Sequence, residues 1–326
     1  MFPAFAYARP QHLQDAVAQL VEGKAMLHAG GTDLLGCLRD EVFTTDTVVS
    51  LAGIEGLNRI SQRDDGGLTI GALTTLTAIA EHPTVKQRYP GLAEAAAAVG
   101  SPQLRNQGTL AGNLCQKPRC WYYRGDFPCL RKGGHKCYAV NGDNRYHCIF
   151  GGANCFIVHP SDTAPALASL DAEVRVIGPQ GARRIAVADL HMDPADNPTR
   201  ETVLEQGEII VQIYIPAPAA GLYSRYRKIR TRQAWDFAIA GCALALQMDG
   251  NTVGDCRVFL AGAAPIPWRS QATEAALRGQ ELTPAVIEQA AAASVANAVP
   301  MTANGYKVPL FKGMLIEELG MIGASG

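Results

Sequence analysis

The sequence has no run approaching 18 consecutive apolar residues, so it offers no membrane-spanning helix. Charge is sparse as well. Only 18% of the 326 residues are charged and the formal net charge is −1, leaving no basic field for nucleic acid or an anionic membrane. The expected partners are therefore small molecules or proteins. The opening stretch "MFPAFAYARPQHLQDAV" lacks a basic segment followed by an apolar run, which predicts no export signal of its own. Several chemical signatures are missing too: an HExxH pair, a Gly-Lys-Ser/Thr phosphate loop, a GxGxxG fingerprint and the CxxC pairs of zinc ribbons. No Ser/His/Asp grouping or acid/base carboxylate pair stands out, and the seven histidines are scattered, so nothing points to bond breaking on a substrate by this chain. There is no internal repeat and no low-complexity tail.

What the chain does have is length for two or three domains, and α/β texture. A helix is expected near Pro10 to Val21, then a short strand "AMLHA", a glycine turn and a second helix. "TVVSL" and "LTIGAL" read as strands, and the Ala- and Leu-rich "TTLTAIAEH" and "GLAEAAAAVG" as helices. From Ala182 the chain turns to strands, among them "EIIVQIYIP", with "EVRVIGP" just before it. "FAIAGCALALQMDGNTVGDCRVFLAGAAP" predicts two strands around an Asp-Gly-Asn turn. Helices are expected at about 271–277 and 283–297. The Pro/Ala/Gly stretch "PAPAAG" (216–221) marks a boundary.

Cysteine is the conspicuous excess. The chain has nine, and six of them fall between Cys115 and Cys155. Without an export signal, such a cluster favours metal or redox chemistry over structural disulfides. The gaps from Cys120 to Cys129, Cys137, Cys148 and Cys155 are eight, seven, ten and six residues. These spacings leave an iron–sulfur cluster, structural zinc, or free or paired thiols all open. The stretch is also basic, with Lys117, Arg119, Arg124, Arg131, Lys132, Lys136 and Arg145 against Asp126 and Asp143, so it could offset the negative charge of a thiolate-bound cluster. Glycines at 125, 133, 134, 142, 151 and 152 let the chain wrap closely. Cys37, Cys115, Cys242 and Cys256, each among apolar neighbours, read as small core residues.

"LHAGGTDLL" (27–35) follows a strand and opens a helix, so its backbone N–H groups could cradle a pyrophosphate while Thr32 adds a hydroxyl. On its own it reads first as a plain turn. "GSPQLRNQGTLAGNLCQ" (100–116) is a second loop of small residues and amides. Taken in order, "AGGTDLL", "TIGALTTL", "LRNQGTLAGNL" and "HPSDTAPAL" resemble the FAD-binding medium subunit of the xanthine oxidase family of molybdenum hydroxylases. The resemblance spans nearly the whole chain and implies an α+β architecture. A PCMH-type FAD-binding fold of two lobes (1–55 and 56–217) would precede a domain like the C-terminal one of the carbon monoxide dehydrogenase flavoprotein (218–326), which "YSRYRKIRTRQAWDFAIAGCAL" resembles at its start. It assigns Gly30, Gly31, Thr32 and Asp33 to the diphosphate loop of noncovalent FAD, with Leu27, Ala29 and Leu34 beside it. Gly108, Thr109, Gly112 and Asn113 follow from the second loop. Asp162 would be a polar contact on the FAD and Lys228 a basic residue near the flavin, although Lys228 read alone is a solvated surface lysine.

The segment 117–154 departs from most of the family, being inserted between the "GNL" loop and the "SD" strand. It resembles the loop bearing a 4Fe–4S cluster in the flavoprotein subunits of 4-hydroxybenzoyl-CoA reductase and periplasmic aldehyde oxidoreductase. The second likeness implies Cys120, Cys129, Cys137 and Cys155 as ligands with Cys148 spare, whereas the first favours Cys148 over Cys129. The resemblance further implies a large subunit with a molybdenum cofactor, a small subunit with two 2Fe–2S clusters, a dimer of heterotrimers, and an external carrier such as ferredoxin. The expected location is the cytoplasm, or the periplasm if a partner carries an export signal. Two rival readings are a self-sufficient flavin oxidase of the vanillyl-alcohol oxidase type and a zinc-stabilised scaffold subunit.

Overall fold

A computed structural model describes residues 2–323; residue 1 and residues 324–326, the outer ends of the first and last expected domains, lie outside the described residues. Three sheets follow one another along the chain. The first is parallel, ordered β1-β3-β2, from β1 (Ala6–Ala8), β2 (Ala25–His28) and β3 (Thr47–Ser50). Parallel neighbours need crossovers. Helix α1 (Leu13–Glu22) makes the first and buries Ala16 and Leu20 against Val49 and Leu51. Helix α2 (Leu34–Arg39) begins the second.

The second sheet is antiparallel: β4 (Ile60–Gln62), β5 (Leu68–Gly71), β6 (Glu173–Gly178), β7 (Gly181–Ala186) and β8 (Ile209–Ile215), in the order β4-β5-β8-β6-β7. Between β5 and β6 the chain runs through α3 (Leu76–Glu81), α4 (Pro83–Arg88), α5 (Pro90–Ala98), α6 (Pro102–Gln107), α7 (Leu110–Leu114), α8 (Trp121–Arg124) and α9 (Thr163–Ser169). Proline at the first position of α4, α5 and α6 suits helix starts, where its missing N–H costs nothing. The small residues of α5 allow close packing: a Cβ on Gly91 would lie 2.8 Å from the backbone nitrogen of Arg225 on the next sheet.

The third sheet, β12-β11-β10-β9, is antiparallel and consists of β9 (Leu222–Ile229), β10 (Ala240–Asp249), β11 (Thr252–Ala261) and β12 (Trp268–Arg269). The β10–β11 hairpin turns at Gly250 and Asn251, with Gly250 at φ +56°, the left-handed conformation a tight hairpin requires. One face packs on α10 (Gln271–Leu277), α11 (Pro284–Ala293) and α12 (Lys307–Gly323) through Leu244, Leu246, Ile287, Phe311 and Leu315. The expected strands and helices fall close to these bounds. The expectation did not include α12, whose Phe311, Met314, Leu315, Leu319 and Ile322 carry helical spacing.

The inserted segment contributes no strand to these sheets and is tied down at both ends. Asn304 Nδ2 donates to the carbonyls of His147 and Cys148, both at 3.0 Å, and the Ala303 amide donates to Asn144 Oδ1 at 2.8 Å. Lys307 is fully buried, its ammonium donating to the Tyr146 carbonyl at 3.2 Å and the Gly262 carbonyl at 2.8 Å. Burial lowers its pKa to about 8 against the opposing pull of Cys148. At the other end the Lys117 amide donates to Asp33 Oδ2 at 2.7 Å.

Candidate functional site

A cleft of about 340 Å³ opens where the first two sheets meet β9. It is within the usual range for a small-molecule site. Its floor is the turn after β2. Leu27, Ala29, Gly30, Gly31, Thr32, Asp33 and Leu34 all line it. Gly31 has φ +71°, and a Cβ there would come within 2.6 Å of His28 Nε2. Gly30 has a different reason. A Cβ on it would lie 1.9 Å from the Gln107 carbonyl oxygen, so this glycine lets the first turn press against the second.

The second turn supplies Gly108, Thr109, Gly112 and Asn113. Thr109 caps α7 by accepting from the Gly112 amide at 3.3 Å. The Asn113 side chain is buried and its Oδ1 accepts from Thr163 at 2.7 Å and from Ser161, which ties the turn to the start of α9. Asp162 and Lys228 line the same cleft. The side chain of Lys228 is buried, contrary to a solvated surface lysine. Its Nζ donates to Asp162 Oδ2 at 2.7 Å and to the Ala98 carbonyl at 3.1 Å. The Tyr226 hydroxyl donates to Asp162 Oδ1 at 2.6 Å. Burial, and then the carboxylate, hold the Tyr226 pKa well above its ordinary value, so it stays a donor. All thirteen residues expected at the cofactor thus line one cleft. Sequence reasoning missed Lys117, Arg119, Trp235 and Phe237, which complete the wall. Trp235 has φ +55° and its amide donates to the Gly100 carbonyl, fastening the segment between β9 and β10 to the start of the 100–116 loop.

The cleft is built for a flat, extended, anionic ligand. The walls are mainly apolar, and the turn that floors the cleft brings Thr32, Asp33 and backbone amides to it beside Lys117 and Arg119. FAD fits this donor set.

A second, small cavity of about 10 Å³ is lined by Cys120, Cys129, Cys137 and Cys155 together with Tyr122, Tyr123, Leu130, Arg131, Tyr138, His147 and Ile157. Cys148 is not among its lining residues. Its amide and carbonyl are committed to Phe156 and Asn304, and it is buried beside Lys307. Burial pushes the Cys120 thiol up to about 12 and raises Cys137, so metal entry there would displace protons. The volume is that of a single water. Among the described residues no group of three or more His, Cys, Asp or Glu stands in metal-holding geometry. Four thiols are a donor set that an iron–sulfur core can take, and the cavity as it stands is too small to hold one.

The expected counter-charge is largely spent elsewhere. Arg119 and Arg124 each lie 2.8 Å from Asp33 Oδ1, Lys117 and Arg131 pair with Glu201, and Arg145 pairs with Asp143. Only Arg131 among the seven lines the cavity. Burial works against its charge, but Cys155 and Glu201 outweigh that and raise its pKa. Cys37, Cys242 and Cys256 are core residues as expected. Cys115 packs on the core and also lines the cleft.

Cavity and cleft are neighbours. Helix α2 starts at the cleft, and its Cys37 packs with Tyr123 and Cys129 of the cavity wall. Ile157 lines the cavity and Pro160 the cleft, so two intervening residues, three Cα–Cα steps of at most about 11 Å, separate them.

This fold and site define a flavoprotein subunit, and comparison with known proteins agrees. Residues 3–218 match the family described as the FAD binding domain in molybdopterin dehydrogenase, and residues 224–319 the CO dehydrogenase flavoprotein C-terminal domain. The chain belongs to this family, as the FAD-binding subunit of a molybdenum hydroxylase-type oxidoreductase. It is 38% identical to the aldehyde oxidoreductase FAD-binding subunit PaoB of Escherichia coli over 97% of both chains. It is 30% identical to the carbon monoxide dehydrogenase medium chain of Hydrogenophaga pseudoflava over 91% of this chain and 88% of that one. Among solved structures, the carbon monoxide dehydrogenase of H. pseudoflava lacking the Mo-pyranopterin moiety superposes with a TM-score of 0.77 at 28% identity, covering 97% of this chain and 96% of that one.

Proposed function

We propose that this subunit carries FAD in the cleft and a 4Fe–4S cluster at Cys120, Cys129, Cys137 and Cys155, and passes electrons between partner subunits and an external carrier. The observation that carries the reading is the convergence of four cysteines, spread over the insertion, on one small cavity beside the cleft. When bound, the flavin exchanges one or two electrons, which suits it to link one-electron centres with another carrier. The chain's own residues bind, orient and exclude water. Gly30 and Gly31 bring backbone amides to the diphosphate, with Thr32, Gly108, Thr109, Gly112 and Asn113 around it. The Tyr226–Asp162–Lys228 chain fixes a buried charge pair at the flavin end, while Leu27, Ala29 and Leu34 give an apolar wall.

In this reading the partners are a molybdenum-cofactor large subunit and a small subunit with 2Fe–2S clusters, assembled as a dimer of heterotrimers. A ferredoxin-like carrier would dock from outside. The division into 1–55, 56–217 and 218–326 belongs to the same reading, supported by one sheet in each part. The names of the relatives support the assembly: a medium chain, and an FAD-binding subunit of an aldehyde oxidoreductase. Co-purification from the native host tests it. Two further subunits bearing molybdenum and 2Fe–2S clusters are expected, whereas turnover by this chain alone would contradict it and favour a self-sufficient oxidase.

A further inference from the structure

The inserted segment does more than carry cysteines. Its Arg119 leaves the cavity and enters the cleft wall, with Nη1 lying 2.8 Å from Asp33 Oδ1 in the glycine turn. We propose that Arg119 is a diphosphate-binding residue of the flavin cleft, so that the insertion completes the cofactor site; this rests on the reading of the cleft as an FAD site.

The argument begins with Asp33. A carboxylate in a turn that should receive a diphosphate is a liability, because like charges at close range repel. Arg124 removes it from behind. Its Nη2 lies 2.8 Å from Asp33 Oδ1, its remaining donors go to the Pro118 and Lys117 carbonyls and Cys37, and it does not line the cleft. One guanidinium is enough to neutralise one carboxylate, so the charge of Arg119 is in excess at the turn.

Arg119 also has donors to spare. A guanidinium carries five N–H groups. Arg119 uses Nη1 on Asp33 and Nη2 on Gln116 Oε1 at 3.2 Å, while its Nε is buried without a partner among the described residues. The other two cations lining the cleft are committed, Lys117 to Glu201 and Lys228 to Asp162. The Arg119 plane is held in place by Phe237 on the rim, whose ring centroid is 4.9 Å from the guanidinium carbon. A fixed fork of unspent donors with surplus positive charge, beside a glycine turn, is what bidentate phosphate recognition needs.

The test compares ligands with and without phosphates on the full chain freed of flavin, titrated by flavin fluorescence with FAD and with riboflavin. Arg119→Gln should weaken FAD by about ten- to a hundred-fold, the worth of a charge-assisted hydrogen bond, while riboflavin changes by less than about twofold. Arg119→Lys, which keeps the charge but loses the fork, should fall between. Unchanged FAD affinity, or equal losses for both ligands, would overturn the proposal, the second by reducing Arg119 to a prop for Asp33. If thermal unfolding shows that Arg119→Gln does not fold, Arg119→Lys decides on the same criterion, a loss for FAD that riboflavin does not share. A wild-type chain with no preference for FAD over riboflavin would instead sink the reading of the cleft itself.

Discussion

Asp33 stands in the glycine turn that floors the cleft, yet its Oδ1 lies 2.8 Å from Nη2 of Arg124, a residue of the cysteine-bearing insertion. The flavin turn and the cysteine loop therefore share one carboxylate. With Cys37 packed against Tyr123 and Cys129, this contact makes the two sites one mechanical unit.

Gly31→Val should lower FAD affinity at least about tenfold, because valine is strained at φ +71° and its Cβ would meet His28. Gly30→Ala should act more broadly, destabilising the fold by about 2 kcal/mol or more as the two turns are forced apart. Flavin titration paired with thermal unfolding separates the two effects. Flavin that stayed on the polypeptide after denaturation would contradict noncovalent binding.

Asp162→Ala should be severe, since it leaves the ammonium of Lys228 and the hydroxyl of Tyr226 buried beside an empty site. Breaking a buried pair on one side costs about 3–5 kcal/mol. Asp162→Ala/Lys228→Met should recover part of the loss in urea unfolding. A double variant no better than the single one would mean that the pair is not the source.

Acid should destabilise the chain through His159 and His191, both buried, whose rings pack 4.0 Å apart. Burial lowers His191 to about 4, and burial followed by His191 holds His159 well below its ordinary 6.5. The unfolded chain therefore binds more protons than the native one between about pH 4 and 6.5. Stability is full above 6.5 and is lost as pH falls through that window. Relative to wild type, His191→Leu should flatten the stability profile between pH 6.5 and 4. An unaltered slope would show that the pair does not contribute.

The cysteine assignment separates two variants. Cys129→Ser should lower iron content and alter the EPR signal of the reduced protein, and Cys148→Ser should leave both largely intact, because Cys129 lines the cavity and Cys148 does not. The reverse result would assign the fourth ligand to Cys148.

Much of the cleft was legible because it is written in short local motifs: a turn between a strand and a helix must come from adjacent residues such as Gly30 and Gly31. Partners distant in sequence were not. Tyr226 meets Asp162 across 64 positions, and Arg119 reaches Asp33 from another loop, so no spacing announces either. The basic residues of the insertion misled for the same reason: charge along a chain does not say which carboxylate, Asp33 or Glu201, will claim it. Lys228 reads as a surface lysine until the sheet turns it inward onto Asp162.

The most direct test of the account is chemical analysis of the wild-type chain purified without oxygen, with flavin, iron, acid-labile sulfide and zinc measured on one sample. One FAD, four irons and four sulfides per chain are predicted, with an EPR signal that appears on reduction. Zinc in place of iron and sulfide, or cysteines that bind no metal while the flavin is retained, would contradict the electron-carrying role of the insertion.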